Sequence, residues 1–282
     1  MQLWNQVRRT GRRWLYGAIA LTMAAGLIAV TPKPSEAGLL DLIFGGIQYI
    51  QLSNMGDAGE VDLGRRIDAS IRQQVPIYTR NPDMVSYIQS IGNRLAATSN
   101  RPPDDDFQYT FQIVDDDSVN AFATAGGFAY VNTGLIREAE TEAELAGVMA
   151  HEIGHVVGRH VVNRMRDQAA ISGIAGALGI NQDALVGLGV QLALELPNSR
   201  AAEIEADNLG FDNMGAAGYD QQGFITFMQK LGEGGSPPEF LSTHPNPDNR
   251  VSNLQSRYNN ERIPTAVDGS SAEAYQARIS KL

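Results

Sequence analysis

The apolar positions of this chain fall into three kinds of pattern. Residues 14–30 form an uncharged apolar run with no polar face. Further on, Leu63, Ile67, Ile71 and Val75 recur every four residues, which predicts an amphipathic helix over 60–75. Met84, Ile88, Ile91 and Leu95 repeat the stripe after Asn81-Pro82, a cap followed by proline at the first helical position. Both stripes read as core-packing faces without chemistry. The period then drops to two: Phe107, Tyr109, Phe111 and Ile113 alternate with polar residues, as in a half-buried strand. Residues 120–124 and 128–132 read as two more strand pieces around Ala125-Gly126-Gly127, giving a small antiparallel sheet. The glycine pair is either a plain turn or part of an edge whose small residues let an extended peptide pair with it.

Helical spacing returns after the sheet. Thr141 and Glu144 form a capping box, and Leu145, Val148 and Met149 lead into a helix. Residues 169–196 are rich in Ala, Gly, Leu and Val, but Asn181-Gln182-Asp183 splits them into pieces too short to span a bilayer. They predict two buried helices over a site. Asp220 caps a helix over 221–231 with Phe224, Phe227 and Met228 as its core. A loop over 232–238 follows, and Asn246-Pro247 starts a helix carrying Val251, Leu254 and Tyr258. Residues 272–282 read as a short surface helix. The expected class is α+β: mainly helical, with a small antiparallel sheet beside the helix that follows Thr141.

Composition narrows the setting. The chain has 282 residues, 43% hydrophobic and 19% charged, which is globular rather than disordered. Arg8, Arg9, Arg12 and Arg13 precede the apolar run, Pro32 and Pro34 break it, and Ser35-Glu36-Ala37 supplies small residues for a peptidase. Residues 1–37 thus read as a secretory signal peptide cut before Gly38, with an uncleaved membrane anchor as the other reading. That leaves 38–282 as one domain. Within it, residues 38–55 are either a short helix lying on the fold or a peripheral membrane contact. Cysteine is absent, which rules out disulfides, a thiolate metal site and a cysteine nucleophile. The chain beyond residue 37 holds 17 basic against 31 acidic residues, so nucleic acid is not an expected partner.

The chemistry concentrates at His151-Glu152-Ile153-Gly154-His155. Residues four apart on a helix share a face, so both imidazoles can reach one ion. Zinc accepts histidine nitrogen at about 2.0–2.1 Å. Glu152 then lies beside the metal, placed to take the proton of an attacking water, which is the H-E-x-x-H arrangement of a metalloprotease. Gly154 lets another element come close to the metal face. His160, nine residues or two and a half turns past His151, faces away from the metal and reads as structural, or as a support to a ligand at best. Glu203 and Asp207 are again four apart, among Ala201, Ala202 and Ala206. A carboxylate suits the third protein position on zinc, and an acid one turn on can hold the free N–H of a ligating imidazole. An exposed acidic helix face is the plain alternative. His244, on a loop at the start of a helix, is the remaining histidine that could reach the metal.

HEIGHVVGRH together with SRAAEIEAD resembles the metallopeptidase family that holds the CAAX prenyl endopeptidases, the membrane protease HtpX and the periplasmic BepA-type enzymes. The likeness to the last group extends over NAFATAGGFAYVNTGLI and STHPNPDNR. The resemblance implies a gluzincin-like zinc peptidase with one Zn2+ per chain: His151, His155 and Glu203 as ligands, Glu152 as general base, Asp207 as the partner of a ligand. It also implies that His244 occupies the fourth metal position at rest. The C-terminal helical repeats common in that group do not fit in this chain.

The expectation is therefore an exported, periplasmic zinc metalloendopeptidase acting on unfolded or misassembled proteins in envelope quality control. An extended substrate would lie along Asn120, Ala121, Phe122 and Ala123. His244 or Arg200 would stabilise the oxyanion. Two other classes stay open: a chaperone-like assembly factor with gated or minor protease activity, and a structural zinc protein. The base at Glu152 speaks against the second.

Overall fold

The computed structural model describes residues 52–172, 182–233, 239–244 and 249–282. The leader, most of the 38–55 segment and the Asn246-Pro247 helix start lie outside these residues.

Two long helices open the described chain. Helix α1 spans Asp57–Gln74 and turns Leu63, Ile67 and Ile71 inward. Helix α2 spans Pro82–Ala96, where the Asn81 side chain accepts hydrogen bonds from the backbone N–H groups of Asp83 and Met84. Strands β1 (Thr110–Val114), β2 (Ala121–Ala123) and β3 (Phe128–Asn132) follow. Between β2 and β3 the chain turns through Gly126 and Gly127, whose φ angles of 74° and 85° suit glycine.

The three strands form one sheet in the order β1-β3-β2. This corrects one expectation. β2 pairs antiparallel with β3, but β1 runs parallel to β3, so the sheet is mixed. The tight Gly126-Gly127 turn forces the antiparallel pair, while the longer path from β1 leaves room for β3 to insert between its two predecessors. β2 is consequently an edge. Its alternation has both faces buried: Ala121 and Ala123 point into the larger core, Phe122 into a smaller one with Tyr130.

The remaining elements are helical. They are α3 (Thr133–Glu138), α4 (Glu142–Val157), α5 (His160–Ser172), α6 (Gln182–Leu194), α7 (Arg200–Ala216), α8 (Gln222–Glu233), α9 (Glu239–Thr243), α10 (Arg250–Glu261) and α11 (Ala272–Ile279). Thr141 caps α4 by accepting from Glu144 N at 3.1 Å. The Glu144 carboxylate accepts from Glu140 N at 2.8 Å and meets Lys230 Nζ at 2.8 Å, so this acid is buried but paired. α11 is more than a surface helix. Tyr275 and Ile279 are buried, and the Tyr275 hydroxyl donates to Ile136 O at 2.6 Å.

The larger core joins α2, one face of the sheet, α4, α7, α8 and α11. The smaller joins α1, α5 and α6 on the sheet's other face. α4 lies in the larger core, buried from Ala143 to Val156. Among the described residues no helix is long and apolar enough to cross a membrane.

Candidate metal centre

α4 and α7 cross at close quarters because both are glycine at the crossing. A Cβ on Gly154 would stand 2.7 Å from Ala206 O, and one on Gly210 would stand 2.9 Å from His151 N. That closeness brings the α7 acids to the α4 histidines. His151 Nε2 and His155 Nε2 face each other at 3.0 Å. Glu203 closes the triangle, with Oε2 at 3.5 Å from His151 Nε2 and Oε1 at 3.4 Å from His155 Nε2. Ligands about 2.0–2.1 Å from a tetrahedral zinc stand about 3.3–3.4 Å apart, so each of these separations suits a pair of atoms on one ion, although the two Glu203 distances end on different oxygens. Two facing imidazole nitrogens share at most one proton. Glu203 Oε1 makes no hydrogen bond among the described residues although the side chain is fully buried. This donor set fits a divalent cation.

Behind the triangle, Asp207 Oδ1 lies 3.0 Å from His151 Nδ1. Arg250, at the start of α10 and 1% exposed, grips the same acid through Nε at 2.6 Å and Nη2 at 2.5 Å. Its Nη1 stands 2.9 Å from Glu203 Oε2. In front, Glu152 is 2% exposed, and its Oε1 lies 3.3 Å from His244 Nε2. His244 is itself buried, stacked on Phe240 with ring centroids 4.3 Å apart. Its Nδ1 is 3.0 Å from Thr243 Oγ1, which leaves Nε2 to face the centre. Candidate ligand atoms of His151, His155, Glu203 and His244 all lie within 4.8 Å of one another.

Charge is distributed unevenly. Burial works against a proton on His151, but contacts with Asp207 and Glu203 outweigh it and raise this imidazole to about 9. Burial pushes His155 down to about 4, and Glu203 offsets it only partly. The facing pair thus holds one proton, on the side nearer Asp207. Burial pushes the Glu203 carboxyl up, yet His151 and His155 pull it well below the ordinary carboxylate range. Glu152 follows the same logic: burial raises it, and His244 more than reverses that.

The space left is small. A cavity of about 10 Å³ is lined by Phe122 and Ala123 of β2, Glu152, His155, His244, Leu192 and Ala193 at the end of α6, and Leu196 just beyond it, among others. Of the two apolar helices expected over the site, α6 reaches it through this end; residues 173–181 lie outside the described residues. Asn120 is buried just before β2, and its carbonyl accepts from Asn132 N at 3.0 Å.

Two placements differ from the sequence reading. Arg200 is exposed at the first position of α7; the guanidinium at the centre is Arg250. His160 does not continue the α4 helix: the chain breaks at Gly158 and Arg159, and His160 Nδ1 comes to 2.7 Å from His155 Nδ1. Arg250 was missed because a lone arginine in a polar helix reads as solvated, and its partners lie 43 and 47 positions away.

A mainly helical α+β fold, with an HExxH helix crossed by a helix carrying a third acid, defines the class: a metallopeptidase domain. Comparison with known proteins gives the family. The model of peptidase family M48 matches residues 82–258. The β-barrel assembly-enhancing protease of Yersinia pestis is 34% identical over 227 residues, 73% of this chain and 46% of that protein. Its namesake in Escherichia coli K12 is 31% identical over 249 residues, 82% of this chain and 50% of that protein. The metalloprotease LoiP of Escherichia coli K12 is 27% identical over 256 residues, 86% of this chain and 98% of that protein. This chain spans about half the length of the two assembly-enhancing proteases. It belongs to peptidase family M48, whose members are metallopeptidases that work with a divalent metal.

Proposed function

We propose that this chain is a zinc-dependent metalloendopeptidase that cleaves unfolded or misassembled proteins outside the bacterial cytoplasm, with residues 38–282 as one catalytic domain. The observation that carries the reading is the buried triangle of His151, His155 and Glu203 with the Glu152 carboxylate alongside. His151, His155 and Glu203 would hold the zinc, and Asp207 would fix the His151 ring through its second nitrogen. When bound, zinc supplies Lewis acidity, polarising the scissile carbonyl and acidifying the attacking water.

The chain's own groups do the rest. Glu152, ionised at neutral pH, takes the water's proton and passes it to the leaving amine. Arg250 holds Glu203 and Asp207 in register and helps keep Asp207 ionised. β2 stands at the end of the strand order, a position on which an extended peptide would pair by main-chain hydrogen bonds, which suits a substrate that has lost its fold. The leader-like residues 1–37 support export, and the relatives named for enhancing β-barrel assembly support an envelope substrate.

His244 reads as a closure. Its ring fills the front of the centre, and the 10 Å³ that remain are too little for a peptide group. Substrate entry then requires His244 to leave Glu152. The test of the whole reading is Glu152→Gln. Zinc should stay bound at one per chain while cleavage of an unfolded protein such as reduced casein disappears. A variant that cleaves as well as the parent would refute the mechanism.

A further inference from the structure

The two α4 histidines differ in what stands behind them. The outer nitrogen of His151 faces an acid, Asp207. The outer nitrogen of His155 faces a third imidazole, His160, at 2.7 Å. A neutral imidazole has one N–H and one lone pair. If His155 turns the lone pair of Nε2 toward the centre, its proton sits on Nδ1. His160 must then present a bare Nδ1, and its own proton moves to Nε2. That nitrogen lies 3.4 Å from Glu205 Oε2, at the surface of α7. The protons order themselves in one direction, from His155 through His160 to Glu205.

The backbone is built to make this contact. On an unbroken helix, residue 160 would point about 140° away from His155 at about 100° per residue. Instead α4 stops at Val157, and Arg159 takes φ 53°, a left-handed conformation that a side-chain-bearing residue adopts only at a cost. Arg159 is held there by Glu60 Oε2 at 2.8 Å and by Met55 O at 2.6 Å. Glu60 is 1% exposed and also binds Arg101, so the anchor is itself fixed. A Cβ on Gly158 would sit 2.4 Å from His160 Nε2, and glycine removes that clash. The result is a ring 6% exposed, wedged between His155 and α7.

We propose that His160 is a positioning residue for the metal centre: its Nδ1 accepts the Nδ1–H of His155, and Glu205 accepts from its Nε2–H. This rests on the zinc reading above. α7 then supplies three acids with three duties: Glu203 toward the metal, Asp207 behind one histidine, and Glu205 behind the support of the other. Supports of this kind orient the ring and raise its basicity, and their removal lowers metal affinity about 10–100-fold.

The test compares zinc affinity by chelator competition in the full chain, His160→Leu and His160→Asn. His160→Leu should lose affinity by about 10–100-fold. His160→Asn, whose side-chain oxygen stands near the place of Nδ1, should recover most of it. Imidazole nitrogen NMR of the zinc-loaded parent should find the proton of His155 on Nδ1 and that of His160 on Nε2, an observation independent of whether any variant folds. Parental affinity in His160→Leu overturns the inference. So does His160→Asn as weak as His160→Leu, which would make the ring mere packing, and so does a proton on His160 Nδ1. A parent that binds no zinc overturns the metal reading and takes this inference with it; the other outcomes leave that reading standing.

Discussion

Removing the Arg250 side chain should unlock the centre from behind. Its guanidinium is fully buried and makes three short contacts with two acids: 2.6 and 2.5 Å to Asp207 and 2.9 Å to Glu203. Arg250→Leu keeps an apolar side chain in the space but leaves two buried carboxylates without the cation between them. Breaking a buried ion pair costs roughly 3–5 kcal/mol, mostly because the surviving charge stays buried. In a domain of this size each kcal/mol moves Tm by roughly 2–4 °C, so the metal-free variant should melt roughly 6–20 °C below the parent. Zinc would bring a second positive charge to the same acids, so the loss should shrink when zinc is saturating. Thermal unfolding followed by circular dichroism, with chelator and with zinc, measures both. Arg250→Lys should restore little, since one ammonium cannot span the two acids as a fork does. A Tm in chelator within about 2 °C of the parent would refute the argument, as that is less than 1 kcal/mol. Equal losses with and without zinc would refute its electrostatic half.

His244→Ala should raise turnover of an unfolded substrate if His244 is the proposed closure; reduced turnover would instead make it an oxyanion donor. Glu203→Gln should lose zinc on dialysis that the parent retains, and unchanged metal content would remove Glu203 from the ligands. Zinc affinity should rise with pH through neutrality. His151 keeps its proton up to about 9 in the metal-free centre, whereas His155, down at about 4, is already neutral. Metal must expel the His151 proton below that pH, so titration calorimetry in buffers of different ionisation enthalpy at pH 7 should find roughly one proton released per zinc. Release of none would contradict this.

What the sequence made legible was local. The i, i+4 spacing of His151 with His155 and of Glu203 with Asp207 fixes each pair on one helix face, and the helix period is set within a few residues. The α1 and α2 stripes and the Asn81 and Thr141 caps follow the same logic. What stayed hidden depended on partners far along the chain. β1 and β3 are parallel because of a crossing that no alternation pattern encodes. Arg250 is buried only because α10 lies against α7. His160 was misplaced by an argument that was sound for a continuous helix; it failed because Glu60, a hundred positions upstream, holds Arg159 in a turn. A glycine followed by a long basic residue at the end of a motif helix was the one local hint.

The central claim is a single zinc held by His151, His155 and Glu203. Crystals of the purified chain, measured on either side of the zinc absorption edge, test it directly. The account predicts one anomalous peak per chain, within about 2.0–2.3 Å of His151 Nε2, His155 Nε2 and a Glu203 oxygen. A peak that excludes Glu203, or no zinc peak in a chain that still cleaves protein, would contradict it.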